Sequence, residues 1–427
     1  MTGMRIACGQ LRAHDLGDAA VALDEALAMF AAAGSAGASL CVLPEATYPA
    51  YVLGSAAAAR AVIAAGADAL DVFAAAARSS GCAVVVGLVL EGSGGLENAA
   101  VRIDANGTVR SRTAKRFLWH FDRAWFVPGA ASPVSDGIGM LVCADARLPE
   151  IAADLVGRGA RIVANPTAWV TSILPPEGTN SQAEFLWRVR ALENRVVAVA
   201  ATKVGTEADT VIYAGRSQIV GADGQVVAIA SPTEPELLVA DVEVPDGDRE
   251  RRVPDRLGPA AIRRPPLRDG FVQVAVLTDD DLLDQLEGHA IDVAVGPGGV
   301  LRSGDAAVAA FTDDELLDPV PARAAALAGA EFVVWLAERV STPLVEAVAC
   351  TRALENRVFV LLWRPAAAGG PCVVDPSGTV IARAGGHRFA VQASCLRAAA
   401  ATKIMAPGTD AWNALEALDR ARSAVEP

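Results

Sequence analysis

Histidine is scarce in this 427-residue chain: His14, His120, His289 and His387 are all it has, and no two share the spacing of a metal-binding pair. No zinc or iron centre is expected, because such sites need several convergent ligands. The seven cysteines, Cys8, Cys41, Cys82, Cys143, Cys350, Cys372 and Cys395, are odd in number, scattered and never in a C-x-x-C pair. That argues against a disulfide framework and fits a reducing compartment, so a cytoplasmic location is expected. Long uncharged apolar runs are also missing. Arg60, Asp68 and Asp71 break up the Ala-rich segment from Val52 to Ala77, and no membrane span is expected. The opening MTGMRIACGQ passes straight into a strand-like run, without the pattern of a signal peptide. Positive charge is in deficit, with 37 Lys and Arg against 50 Asp and Glu and a formal net charge of −13. So acidic a chain has little with which to displace counterions from a phosphate backbone, so nucleic acid is not an expected partner and the acidity reads as solubility.

Hydrophobic residues make up 52% of the chain and charged residues 20%, enough for a sizeable core. The length suggests two domains. Strand-like runs at Met4–Cys8, Leu40–Leu43, Ala83–Leu90, Ala99–Ile103, Met140–Val142, Ile162–Ala164 and Val196–Thr202 alternate with helical patterns. The helices are expected over Asp18–Ala33, Ala57–Arg78, Pro149–Arg158 and Ala183–Arg195. Turns at Asp104–Gly107 and Ala222–Gly224 add hairpins. This alternation favours an α/β fold of layered sheets and helices.

From Pro245 to Gly270 the chain turns rich in Pro, Gly and Arg and loses periodicity. Asp246, Asp248, Glu250 and Asp255 interrupt its basic residues, so it reads as a solvated arm and linker. Beyond it the chain repeats itself. RALENRV stands at Arg190–Val196 and again at Arg352–Val358, and Gly159–Val163 resembles Gly329–Val333. The turn at Asp223-Gly224 resembles Asp375–Gly378. Three matches in one order point to a duplicated unit. The expected division is a catalytic domain over 1–269, with its arm and linker at 245–269, and a shortened copy over 270–427.

Three residues stand where chemistry is plausible. Cys143 ends an apolar strand just before a helix that opens with Pro149, so rigid elements would hold its sulfur at a sheet edge. Taken alone, it reads rather as a buried structural cysteine, because free cysteine is commonly buried. Glu45 follows the strand Leu40–Leu43, and groups beyond strand carboxyl ends line active-site crevices; alone, it reads as a cap or surface residue. Lys115 precedes the aromatic run Phe117-Leu118-Trp119 and carries the charge to stabilise a thiolate or an oxyanion, but alone it reads as a solvated side chain.

Together, their order and context resemble the nitrilase superfamily of carbon–nitrogen hydrolases. The resemblance covers about residues 4 to 267 and rests on Glu45 after its strand, Lys115 before its loop, and the run Cys143-Ala144-Asp145-Ala146-Arg147-Leu148-Pro149-Glu150. It also takes in Phe126–Gly129, Asn165–Trp169 and Arg263-Arg264-Pro265. It implies an α-β-β-α sandwich, a Glu45–Lys115–Cys143 triad, no cofactor, and hydrolysis of a non-peptide C–N bond. Ala144 would supply a backbone N–H to the oxyanion. Where many family members carry a second active-site glutamate, this chain has Asp122, read either as a shorter positioning carboxylate or as a loop residue facing water. Tyr48, Tyr51, Trp119, Phe121, Trp125 and Trp169 either line the pocket or belong to the core. Asp145 and Arg147 are read as an ion pair under the turn rather than as substrate ligands.

In the second copy, aligning Val308–Glu315 with Met140–Arg147 puts Phe311 at the place of Cys143 and Glu315 at that of Arg147. Neither the glutamate nor the lysine has a counterpart, and Cys350 reads as packing. The favoured function is hydrolysis of a small-molecule amide or carbamoyl group, with nitrile hydrolysis by the same triad and a non-catalytic scaffold as alternatives. The helix over Ser341–Arg357 is expected to meet that over Ala183–Arg195 as an intramolecular pseudo-dimer, with further homo-oligomerisation left open.

Overall fold

A computed structural model describes residues 2–130, 132–171, 178–246, 268–286, 288–384, 390–406 and 408–423. The chain divides into two compact units, Met1–Val253 with Leu418–Pro427, and Pro254–Ala417. Most of the expected linker, including Arg263-Arg264-Pro265, lies outside the described residues.

The first unit is built on two sheets. Strands β1 (Thr2–Arg12), β2 (Leu40–Val42) and β3 (Ala83–Gly92) run parallel, and β4 (Gly95–Ile103) and β5 (Val109–Ala114) follow as antiparallel hairpins. In the second sheet β6 (Val134–Ser135) pairs with β7 (Ile138–Met140), which runs parallel to β8 (Ile162–Pro166) and, through it, to β9 (Val197–Ala201). Strands β10 (Lys203–Glu207) and β11 (Val211–Ala214) extend the first sheet past Leu11 and Arg12 of β1. The second sheet is extended by β12 (Gln218–Val220) and β13 (Val226–Ile229), and β14 (Glu236–Val244) returns antiparallel to β1.

Side chains on one face of each sheet meet in a shared core. Ile6, Cys8, Leu40, Val42 and Val85 pack with Met140, Ile162, Ala164, Val197, Val199 and Ile219. The strands alternate, so the opposite face of the first sheet buries Ala7, Cys41, Val84 and Val86. Helices α1 (Ala19–Ser35) and α3 (Ala69–Ser80) cover that face with Leu23, Phe30, Phe73 and Ala77. Helices α4 (Pro149–Gly157) and α5 (Trp187–Asn194) cover the outside of the second sheet against β7, β9 and β12. The layer order is α-β-β-α, as expected.

The single helix expected over Ala57–Arg78 is instead two, α2 (Ala56–Ala65) and α3. Gly66 ends α2, and the Asp68 carboxylate caps α3 by accepting the Leu70 and Asp71 amides.

The second unit has the same kind of elements in fewer number. Strand β15 (Phe271–Val276) pairs in parallel with β16 (Val293–Gly296), which turns into β17 (Gly299–Arg302). Then come β18 (Val308–Thr312), α6 (Pro319–Leu327), β19 (Phe332–Leu336), α7 (Val345–Asn356) and β20 (Phe359–Trp363), with the three strands parallel. The hairpin β21 (Cys372–Val374) and β22 (Val380–Arg383) follows, and β23 (Val391–Leu396) returns antiparallel to β15. Only β17 and its flanking turns lie between β16 and β18, where the first unit has α2, α3 and β3 to β6. The helix expected over Ser341–Arg357 is confined to α7, and Cys350 is buried within it.

Candidate active site

Glu45 comes three residues after β2, Lys115 directly follows β5, Cys143 comes three residues after β7, and Thr167 directly follows β8. All four therefore emerge at the carboxyl ends of strands, where a sheet edge opens into a crevice. Close approach of β3 lets Glu45 reach its place. A Cβ on Gly87 would stand 2.3 Å from the Pro44 carbonyl oxygen and 2.5 Å from Glu45 Cα, so this position admits no side chain. With glycine there, the Gly87 amide donates to Pro44 O at 3.0 Å and its carbonyl accepts the Thr47 amide at 2.8 Å.

The three expected groups converge. Lys115 Nζ donates to Glu45 Oε1 at 2.8 Å and pairs with Asp122 Oδ2 at 2.7 Å, and all three side chains have 0% exposure. Asp122 therefore does not face water. It shares the Lys115 ammonium with Glu45 and is held by the Tyr51 hydroxyl at 2.8 Å and the Trp119 amide at 2.7 Å. The shorter side chain is thus matched by a tyrosine that reaches in to meet it. Burial works against the Lys115 ammonium, but Asp122 and Glu45 overcome it and hold its pKa well above the usual lysine value. Burial, then the charges of Asp122 and Glu45, push the Tyr51 phenol well above its usual range, so it stays a donor.

Cys143 opens a short 3-10 turn, Cys143–Arg147, with a left-handed φ of 49°. A non-glycine residue there costs roughly 1–2 kcal/mol. The strained turn is held by two buried side chains. Asn165 Oδ1 accepts the Cys143 amide at 2.6 Å. Asp145 accepts the Val142 amide at 3.0 Å and also the Arg116 and Phe117 amides at 2.9 and 2.7 Å. Asp145 thereby fastens the turn of Cys143 to the residues just after Lys115. Burial raises its pKa to about 6 against the pull of those amides. The ion pair expected between Asp145 and Arg147 is not what forms: Asp145 binds backbone amides, and the Arg147 guanidinium lies over the Trp119 ring at 4.3 Å.

The thiol stands 3.8 Å from the Ala168 carbonyl. Burial pushes it up to about 12, the Glu45 carboxylate adds to the rise, and Lys115 opposes it. Free thiolate is therefore rare at neutral pH, and a base must take the proton as the sulfur attacks. Glu45 Oε2 is buried without a hydrogen-bond partner, an acceptor suited to that proton.

Of the aromatic candidates, Tyr51 belongs to the charged cluster, Trp169 is fully buried, Trp119 is half-buried under Arg147, and Tyr48 packs in the core with α1 and α3. Ala144 is buried in the turn beside Cys143. Several polar partners escaped sequence reasoning. Asn98, on β4, donates from Nδ2 to Glu45 Oε1 at 2.6 Å, and its carbonyl accepts the Lys115 amide at 2.8 Å. The sequence marks Asn98 only as a polar residue just before the run Ala99–Ile103; its full burial is a property of the fold. Asn165 lies within the Asn165–Trp169 motif, and its hold on the Cys143 amide is visible only in the fold.

The carbon–nitrogen hydrolase family model matches residues 5–252. Among curated proteins, a nitrilase from Pyrococcus abyssi is 30% identical over 173 residues, 39% of this chain and 62% of its own. This chain therefore spans somewhat under two thirds of that relative. An (R)-stereoselective amidase from a Pseudomonas species is 30% identical over 236 residues, covering 54% of this chain and 82% of its own. Among solved structures, an amidase from Nesterenkonia, crystallised with acrylamide after replacement of a glutamate and a cysteine, is 30% identical. It aligns with a TM-score of 0.50 over 58% of this chain and 94% of its own.

Proposed function

The chain belongs to the carbon–nitrogen hydrolase family, and from that premise we propose that its first unit hydrolyses a non-peptide amide or carbamoyl C–N bond in a small molecule. The observation that carries this reading is the buried Glu45–Lys115–Asp122 cluster beside the thiol of Cys143. The amide-bound Nesterenkonia relative supports an amide as the substrate. Glu45 takes the thiol proton as Cys143 Sγ attacks the substrate carbonyl carbon. Lys115 and the Ala144 N–H hold the resulting oxyanion. As the C–N bond breaks, Glu45 passes the proton to the leaving ammonia or amine, and a thioester remains. Water, giving a proton to Glu45, then attacks the thioester, and that proton returns to the sulfur. No step needs a metal or a cofactor. The seven cysteines, all free and buried, support work in the cytoplasm.

The second unit is, on this reading, a shortened copy without the reaction. The register of its strands supports this and also corrects the expected alignment. Ile138 pairs with Ile162, and Val308 with Phe332, so Cys143 corresponds to Asp313 rather than Phe311. Asp313 has the same left-handed conformation, with φ of 39°. Glu315 then matches Asp145 rather than Arg147, and it accepts the Thr312 amide at 2.6 Å as Asp145 accepts that of Val142. The shared RALENRV motif performs one task in both units. Arg190 Nε donates to the Ala146 carbonyl at 2.7 Å and Arg352 Nε to the Leu316 carbonyl at 2.9 Å, and each arginine pairs with Glu193 or Glu355 at 2.6 Å.

The deciding experiment measures ammonia release from amide, carbamoyl and nitrile panels with wild type and Cys143→Ala. Turnover of amides by the wild type alone supports the proposal. Activity confined to nitriles assigns the triad to the other chemistry, and activity retained by Cys143→Ala removes the mechanism.

A further inference from the structure

A second buried charged cluster takes no part in the steps above. Glu207, at the end of β10, has 0% exposure and four hydrogen-bond donors around its carboxylate. Oε1 accepts the backbone amides of Tyr51 and Val52, both at 2.6 Å. Oε2 accepts the Tyr213 hydroxyl at 2.7 Å and Lys203 Nζ at 3.1 Å. The same Lys203 ammonium donates to the Ala46 carbonyl at 3.1 Å. Ala46 adjoins Glu45 and has a left-handed φ of 44°.

We propose that the Lys203–Glu207 pair is a positioning device that sets both ends of the Glu45–Val52 segment, and through them the two carboxylates flanking Lys115. One end is Glu45 itself, whose neighbour is tied down by Lys203. The other is Tyr51, whose backbone is gripped by Glu207 and whose hydroxyl reaches Asp122. Displacement at either end alters how the Lys115 ammonium is shared between Glu45 and Asp122, and with it the readiness of Glu45 to take the thiol proton. The negative charge of Glu207 is essential. Every group facing it is a donor and one is a cation, so a glutamine would turn its NH2 toward either two amides or an ammonium. Neither residue touches the substrate in the proposed mechanism, so the effect falls on the chemical step. This inference rests on the proposed hydrolysis.

The test compares wild type, Glu207→Gln, Tyr213→Phe and Cys143→Ala. A short aliphatic amide is the substrate and ammonia release the assay, with the iodoacetamide alkylation rate of Cys143 measured against pH and the melting temperature of each variant. In Glu207→Gln, kcat per folded molecule should fall by about tenfold or more with KM within about threefold, and the alkylation profile should be displaced. Tyr213→Phe leaves the ion pair in place and should lose about three- to tenfold in kcat. A merely structural role would lower the melting temperature alone. Wild-type kcat and a wild-type alkylation profile in the folded fraction of Glu207→Gln overturn the proposal, and if that variant does not fold, the same two readouts in Tyr213→Phe decide it. A wild-type enzyme that leaves amides intact counts against the hydrolysis reading instead, and the alkylation profiles then test positioning on their own.

Discussion

Asp122→Asn separates the charge of the second carboxylate from its shape. Lys115 Nζ and the Trp119 amide both approach Asp122 Oδ2, and the Tyr51 hydroxyl approaches Oδ1. An asparagine can turn its oxygen toward the first two and its NH2 toward the tyrosine, whose oxygen also accepts. The contacts therefore survive and one negative charge is lost. Removing a whole partner from a buried ion pair costs about 3–5 kcal/mol. Here Glu45 remains 2.8 Å from the ammonium and the amide dipole replaces the charge, so about 2–3 kcal/mol is expected. In a unit of this size that lowers Tm by about 5–10 °C. Catalysis suffers separately. With Asp122 neutral, the Lys115 ammonium belongs to Glu45 alone and holds its negative charge more tightly, which makes it a weaker base. A fall in kcat of about 10- to 100-fold, with little change in KM, corresponds to about 1.4–2.7 kcal/mol in the barrier. Ammonia-release kinetics and thermal unfolding measure the two effects. A variant with kcat within about twofold of wild type and Tm within about 1 °C would show that the carboxylate does not act on Lys115, and the reasoning would fail.

Asn98→Ala deletes the second donor to Glu45 Oε1, a bond to a charged group worth about 1.5–3 kcal/mol, and should lower kcat about tenfold or more at unchanged KM; a kinetically silent variant contradicts this. Because burial raises the Cys143 thiol to about 12, its thiolate fraction, and with it the iodoacetamide rate, should climb about tenfold per pH unit from pH 7 to 10, with Cys143→Ala as the blank. A plateau below about pH 9 would mean the thiol is acidic in the resting enzyme. Gly87→Ala forces a Cβ to within 2.3 Å of the Pro44 carbonyl, so it should cost about 1–3 kcal/mol and reduce turnover by displacing Glu45; normal turnover in a folded variant counts against the close approach.

The layered fold was legible because many of its strands are short apolar runs separated by turn residues, and Glu45 and Cys143 because each stands where such a run stops; Lys115 follows the polar strand Val109–Ala114 and was singled out by its motif alone. What pairs with them was not legible. Asn98, Lys203 and Glu207 all lie on strands, and which face a strand residue presents depends on register across the sheet, a long-range property. The break at Gly66–Asp68 carried a signal, a glycine that stops one helix and an aspartate that caps the next, but the alanines on both sides outweighed it in reading Ala57–Arg78 as one helix. The misplaced alignment of the second unit has a similar origin. The apolar residues of Val308–Phe311 match those before Cys143 almost equally well at a shift of two, which preserves strand alternation, and only the pairing of β18 with β19 distinguishes the registers.

That corrected register bears on what identifies a nucleophile. A left-handed residue at the start of a 3-10 turn, stapled by an acidic side chain two residues on and backed by an arginine from the second helix after it (α5 or α7), is present at Cys143 and at Asp313 alike. The strain therefore belongs to the way this strand passes into its helix and does not by itself mark chemistry. The two turns differ in what faces them. Opposite Cys143 stand Glu45 and Lys115, delivered by β2 and β5. Among the described residues the second unit has no strand corresponding to β5 to carry a lysine, and its β16 runs into Gly296-Pro297-Gly298 instead of a glutamate. Asp313 instead accepts the Arg339 amide at 2.8 Å, spending its carboxylate on a neighbouring loop. A cysteine placed on such a turn would still lack a base and an oxyanion cation, so the chemistry proposed for the first unit needs the convergence of three segments rather than the geometry of one.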